Sequence, residues 1–227
     1  MPLIRQVARR ALCALLPPRI WLARGPSGES GVALTFDDGP DPEHTPRVLD
    51  ELSRKDVRGT FFVIGHKAAK HPDLVRRIVA EGHALGNHSY FHSNPTQTST
   101  RQLASEIRLT QSLLENLSGN RVSLFRPPFG KLSFGKLCAV WKESNTVVLW
   151  DVDPRDFLAE TAQSLNRWCE SYQPYDGNIV LLHDDRPFTA ELVSRLIDRI
   201  RSRNLGFQRV TDWLANQSLT RSATTTA

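Results

Sequence analysis

Two adjacent carboxylates, Asp37 and Asp38, stand where the apolar run Gly31-Val32-Ala33-Leu34-Thr35-Phe36 gives way to Gly39-Pro40. Side by side at the end of a buried strand they repel each other and resist desolvation, so they need a cation or a compensating base. A single aspartate in such a turn can simply cap the following helix; the pair together points to a bound cation. Further on, Asn87-His88-Ser89-Tyr90-Phe91-His92 supplies two histidines separated by three residues, which face the same way if they share one helical turn. Two imidazoles beside a carboxylate make a His/His/Asp set that leaves a position open for water, as a catalytic zinc-type site requires. Other groups able to do chemistry also follow apolar runs: Arg126 in Arg126-Pro127-Pro128-Phe129-Gly130, Asp153 and Asp156 in the stretch ending at Phe157, and His183 after Leu181-Leu182. His44, His66, His71 and His83 fall in turns or at helix ends, where exposure to solvent or a local hydrogen bond is expected.

These groups are far apart in the chain, so a repeated scaffold has to gather them. Runs rich in β-branched and aromatic residues at 31–36, 60–64, 84–87, 122–125, 146–150, 178–182 and 206–210 read as strands. Amphipathic stretches follow them at 46–55, 72–81, 100–117, 133–143, 161–171, 189–203 and 211–217. Pro46 and Pro72 suit first helical turns, Ser99 and Gln102 have capping-box spacing, and Gly82 and Gly206 are expected stops. Seven βα units without a change in composition argue for a parallel, barrel-like α/β fold, although an open parallel sheet gives much the same pattern. In a barrel, chemistry sits at the C-terminal ends of the strands, and each group named above follows a strand.

The chain has 227 residues, enough for one substantial core in a single domain. Its net charge of +5 and isoelectric point near 9.4 permit attraction to anionic surfaces or acidic glycans. Nucleic-acid binding is not indicated, because the basic residues are dispersed and no recognition motif appears. Cys13, Cys138 and Cys169 are odd in number and far apart, which excludes a disulfide framework and suits packed thiols. We read residues 1–30 as a basic, amphipathic extension, 31–217 as the folded domain and 218–227, rich in Ser and Thr, as a disordered tail. In the extension, a short apolar run after Arg5, Arg9 and Arg10 is too short to span a bilayer and has no small-x-small cleavage site. Residues 1–20 are therefore expected to pack on the barrel or to touch a membrane surface, with the protein in the cytoplasm or peripheral to the inner membrane. Nothing in the sequence fixes an oligomeric state.

Taken in order, Thr35-Phe36-Asp37-Asp38-Gly39-Pro40, His88-Ser89-x-x-His92, Arg126-Pro127-Pro128-Phe129, Asp153-x-x-Asp156-Phe157 and Leu181-Leu182-His183 resemble the five motifs of the NodB-type polysaccharide deacetylases, carbohydrate esterase family 4. The resemblance runs from about Val32 to about Leu214. It implies a distorted (β/α) barrel of about seven parallel strands, and removal of N-acetyl, sometimes O-acetyl, groups from sugars with one divalent metal ion.

It also implies roles. Asp38, His88 and His92 would bind the metal, zinc by first choice and cobalt, nickel or manganese otherwise. Asp37 would be the general base, held by Arg126, and His183 the general acid, tuned by Asp156. The backbone N–H of Phe129 would meet the oxyanion. Leu181, Phe157 and Pro128 would contact substrate. Phe129 stands where the family usually carries Tyr, which should cost little because the donor is main chain, and Phe157 where it often carries Trp, which bears on acyl-group or sugar preference more than on activity. The implied substrate is an N-acetylated glycan of chitooligosaccharide, peptidoglycan or exopolysaccharide type. The basic N-terminus keeps a deacetylase or deformylase of a lipid-linked sugar as an alternative. An inactive carbohydrate-binding module would have lost one of Asp37, Arg126, Asp156 or His183. A metal phosphoesterase would show further acidic ligands for a second ion.

Overall fold

In the computed structural model, residues 16–216 are described, save 27, 29, 30, 95 and 144. The sheet is built around β2 (Gly31–Asp37), a run of seven residues buried on both faces, as a parallel strand covered by helices on one side and by the inner face on the other must be. β2 pairs with β3 (Thr60–Val63) on one side and β7 (Ile179–His183) on the other. Beyond β3 come β4 (Ala84–Asn87), β5 (Leu124–Phe125), β6 (Thr146–Val148) and β1 (Trp21–Leu22), giving the order β1-β6-β5-β4-β3-β2-β7. β8 (Gly206–Phe207) adds to the start of β2, and every pair is parallel. A further parallel bridge, Val152 to Val180, sets the segment after β6 against β7, at the opposite end of that path.

Strand alternation sorts β2 into two roles. Val32, Leu34 and Phe36 pack into a core with Val48, Leu49 and Leu52 of α1 (His44–Arg54) and with Leu192, Val193 and Leu196 of α7 (Thr189–Arg201). Ala33 faces the other way, into an inner cluster with Phe62, Leu124, Val148, Ile179 and Trp213. Thr35 and Asp37, two and four residues on, continue that inner face towards the C-terminal ends of the strands. Trp213 belongs to helix α8 at 210–216, whose first N–H, of Val210, donates to Thr60 Oγ1 at the start of β3. That indole fills the inner face at the end away from Asp37.

The other helices are α2 (Gly65–Lys70), α3 (Pro72–Ala80), α4 (Thr100–Ser118), α5 (Phe134–Lys142) and α6 (Ala162–Ser171). None of the described helices is long and apolar enough to cross a membrane. The amphipathic reading of the N-terminal extension falls on residues 1–15, and the tail on 218–227, both outside the described residues.

Several local expectations need correcting. The strand at Trp21–Leu22 lies inside the stretch read as an extension; two residues carry no periodicity to detect. α2 was not foreseen, because six residues beginning with Gly have neither the length nor the apolar spacing of a helix signal. Ser99 does cap α4, accepting from Gln102 N, but the Gln102 amide donates forward to Glu106 and the capping box stays half made. Gly82, with φ 83°, ends α3 as expected, whereas Gly206 opens β8 and the left-handed residue after α7 is Asn204. His83 is buried and accepts from Gly59 N through Nδ1. Burial, its largest influence, pushes its pKa down to about 4, and it does not face solvent. Cys138 and Cys169 are free thiols.

Candidate active site

Asp37 is the last residue of β2, and its register partners are Phe62 on β3 and His183 on β7. Two titratable groups thus stand opposite each other on adjacent strands, at the C-terminal end of the sheet. Asp38 follows with φ 72°, a left-handed conformation that Asp tolerates better than most residues, and it turns the second carboxylate away from the first. Lys67 of α2 secures the turn by donating from Nζ to the Asp38 carbonyl at 2.7 Å.

Asp37 is 4 % exposed, and Arg126 beside it is fully buried. Arg126 follows β5, and each guanidinium nitrogen has a partner. NH1 donates to Asp37 Oδ1 at 2.7 Å and to Thr35 Oγ1 at 2.8 Å, Nε to Val148 O at 3.3 Å and NH2 to Leu149 O at 3.2 Å. The Phe62 ring lies 4.0 Å beneath the guanidinium. Burial lowers the Arg126 pKa and the Asp37 charge opposes it. Removing either partner of such a pair costs about 3–5 kcal/mol, because the other charge is left buried alone.

His88 continues β4, and its Nδ1 lies 2.7 Å from the Arg126 carbonyl. A carbonyl can only accept, so Nδ1 carries the proton and Nε2 is directed at the carboxylates, 3.4 Å from Asp38 Oδ1 and 3.6 Å from Asp37 Oδ2. His92 Nε2 lies 3.3 Å from the same Asp38 oxygen. The two histidines do not share a helical turn, as their spacing suggested. They sit on an irregular loop in which Ser89 and His92 have positive φ. Buried polar groups shape that loop: Asn87 Oδ1 accepts from Ser89 N, and Glu106 of α4 accepts from Phe91 N and Ser93 Oγ. Asn87 and Glu106 were not singled out in the sequence; the available signal was a polar residue on the buried side of each element.

Asp38, His88 and His92 offer one oxygen and two nitrogens, all within 4.8 Å of one another. Asp38 Oδ1 is buried with no hydrogen-bond partner among the described residues, an orphaned acceptor at the centre of the set. Tetrahedral ligands about 2.0–2.1 Å from one ion stand about 3.3–3.4 Å apart, so the two imidazole separations from Asp38 Oδ1 fit a shared cation. The electrostatics agree. Burial by itself would raise Asp38, yet His88, His92 and His183 hold it far below the usual carboxylate range. Against burial, Asp37 and Asp38 hold His88 above its ordinary value, whereas burial and then His88 lower His92. A field that draws a proton to His88 draws a metal cation by the same attraction.

His183 ends β7 with Nδ1 2.7 Å from Asp156 Oδ1. Asp156 is buried and also accepts from His183 N, Phe157 N and Thr189 Oγ1, so its carboxylate is fixed in place. The proton on Nδ1 points at Asp156, leaving Nε2 towards the open side. Burial lowers the imidazolium, but the Asp156 hydrogen bond and charge, then Asp37 and Asp38, outweigh it and hold the pKa up at about 9. A cation at Asp38 would cancel the contribution of the more distant carboxylates and leave Asp156 as the group keeping His183 protonated.

Asp37, Asp38, His88, His92 and His183 open on one cavity of about 590 Å³, together with Leu181, Phe129 and Phe157. The Phe129 ring packs 4.7 Å from His92 and the Phe157 ring 5.2 Å from His183. Phe129 has φ 58° in the short turn Pro128–Gly130. Pro128 is buried in that turn and is not among the residues lining the cavity, unlike its expected place as a substrate contact. Trp150, Lys131 and Arg186 do line the cavity and were not foreseen, although each stands within a few residues of a motif.

A sequence profile described as polysaccharide deacetylase matches residues 24–143. A peptidoglycan-N-acetylglucosamine deacetylase of Bacillus cereus is 36% identical over 159 residues, which is 70% of this chain and 58% of that protein. The chain therefore spans under two thirds of that relative. A chitooligosaccharide deacetylase of Azorhizobium caulinodans is 37% identical over 167 residues, covering 73% of this chain and 79% of the relative. Among solved structures, a peptidoglycan N-acetylglucosamine deacetylase superposes with a TM-score of 0.80 at 30% identity, over 86% of this chain and 92% of that one.

Proposed function

We propose, from the premise that this chain belongs to the polysaccharide deacetylase family, carbohydrate esterase family 4, that it is a metal-dependent hydrolase removing N-acetyl groups from amino sugars of a glycan. The observation that carries the reading is the pairing of Asp37 with His183 across adjacent strands, each with its own buried partner, beside three clustered donor atoms. Asp38, His88 and His92 would hold one divalent ion. One oxygen and two imidazole nitrogens suit zinc first, and cobalt, nickel or manganese can take the same ligands. Such an ion, when bound, supplies Lewis acidity, acidifying water and polarising an amide carbonyl.

The chain's own groups would do the proton work. Arg126 occupies Asp37 Oδ1, so Oδ2 is the oxygen free to take a proton from the attacking water as general base. His183 Nε2 would hand a proton to the amine nitrogen as the C–N bond breaks, and Asp156 keeps the ring charged and oriented for it. The Phe129 N–H would donate to the developing oxyanion, a role that is indifferent to Phe in place of Tyr because it belongs to the main chain. Leu181 and Phe157 would enclose the acetyl group.

The test is acetate release from N-acetylglucosamine oligomers and peptidoglycan by metal-loaded protein. Asp37→Asn should lower turnover about 10²–10⁴-fold while retaining metal, whereas His88→Ala should lose the metal itself. A metal-loaded protein that frees no acetate from any of these glycans would sink the proposal in favour of a binding module.

A further inference from the structure

Two cations on the cavity wall have no part in the chemistry above. Lys131 follows the Phe129 turn and has no carboxylate within 4 Å among the described residues; its Nζ hangs 5.7 Å from the Phe129 ring. Arg186 lies three residues beyond His183, and among the described residues the one carboxylate it meets is that of its neighbour Asp185, through Nε at 3.1 Å, with 41% of its side chain exposed. Asp185 already serves Lys67, also at 3.1 Å, so one carboxylate is divided between two cations. The anions facing the same space are otherwise engaged. Asp37 is bound by Arg126, Asp38 belongs to the donor set, and Asp153 accepts from Arg155 N on the His183 side.

A neutral sugar has little use for this arrangement. Hydroxyls are bound as well by amides or carboxylates, whereas an ammonium and a guanidinium held on a half-enclosed wall gain most from an anion, with charge-assisted bonds roughly twice as strong as neutral ones. A bare lysine on a fully solvated face would be unremarkable; here the cations share a concave wall with the rings of Phe129, Trp150 and Phe157, which offer them no counter-charge. Resting on the deacetylase reading, we propose that Lys131 and Arg186 select a glycan whose sugars carry carboxylates, so that an acidic N-acetylated polymer is preferred over a neutral one. The carboxylate can belong to a lactyl ether, as on muramic acid, or to a uronic acid; the recognition chemistry is the same.

The experiment compares kcat/KM for acetate release from two acidic oligomers, one of muramic type and one alternating N-acetylglucosamine with uronic acid, each against its own methyl ester. At least one acid should exceed its ester by about tenfold or more, as expected for a charge-assisted bond. The pair that shows the preference identifies the source of the carboxylate. Lys131→Gln and Arg186→Gln should each pull the acid-to-ester ratio towards one, and Lys131→Arg should restore it. Equal rates on acid and ester in both pairs, or variants that slow acid and ester alike and leave the ratio untouched, would overturn the selection. No acetate from any form would instead overturn the hydrolase reading on which it rests.

Discussion

Asp156 sets the pH range over which His183 can act. The imidazolium is the form that donates; against burial, the Asp156 hydrogen bond and charge hold its pKa above the ordinary value, so it is present below that pKa and lost as pH rises through it, and turnover should fall on the alkaline side. Asp156→Asn removes the charge that opposes burial, and the alkaline limb of the kcat/KM profile should move about 1–3 pH units towards acid. An alkaline limb that stays in place would show that another group sets it. Groups such as Asp37, Asp38 and His183 were legible in the sequence because a charge at the end of an apolar strand is costly unless something requires it. Pro128 was not legible: a proline between an arginine and an aromatic reads the same whether it lines a cavity or is buried in the turn beside it.

Among elements, the loop after β4 shows where pattern reading stops. The four-residue step between His88 and His92 matches one turn of helix, yet the chain meets the same requirement with two left-handed residues and a buried acid from α4. Short-range spacing cannot see that acid, because Glu106 comes from another element and is itself buried on a helix whose polar face ought to be outward. Glu106→Ala should free Phe91 N and Ser93, loosen His92 and weaken zinc binding about 10–100-fold, as loss of a group supporting a metal ligand typically does. Titration of the metal-free protein with zinc would measure it. Unchanged affinity with an intact fold would mean that the loop holds His92 unaided. The alternation of strands and helices was legible throughout its long members, and failed only at the two-residue β1 and the six-residue α2, which are too short to show a period.

At the scale of the molecule, Asp184 ties the two halves of the site together and makes stability depend on pH. Its carboxyl is buried against Gly39, accepts from Thr45 Oγ1, and its backbone N–H donates to Asp37 O. Burial, followed by the neighbouring Asp185, raises its pKa from 3.8 to about 7. A carboxyl whose folded pKa is raised contributes stability that is complete below its unfolded value and lost as pH climbs through the folded one. Denaturation midpoints should therefore decline between about pH 4 and 8, more steeply than in Asp184→Asn, which is neutral throughout; parallel curves would rule the group out. The order of the sheet could not be read from the sequence, since each βα unit looks alike and only the backbone pairing of the strands, such as that of Asp37 with His183, shows which are neighbours. Arg126 has a bearing on how the chain reaches this state. Its side chain bonds to β2, to the last residue of β6 and to the residue after it, its carbonyl accepts from the imidazole that follows β4, and it follows directly on β5. β4, β5 and β6 must lie side by side, with β2 in place beyond β3, before that guanidinium has a home, and the contacts involved join segments far apart in the chain. Such pairings are slow to form. On dilution from denaturant, far-ultraviolet ellipticity should recover before turnover does, so that catalysis reports the completion of folding and no half-assembled form of the chain is active.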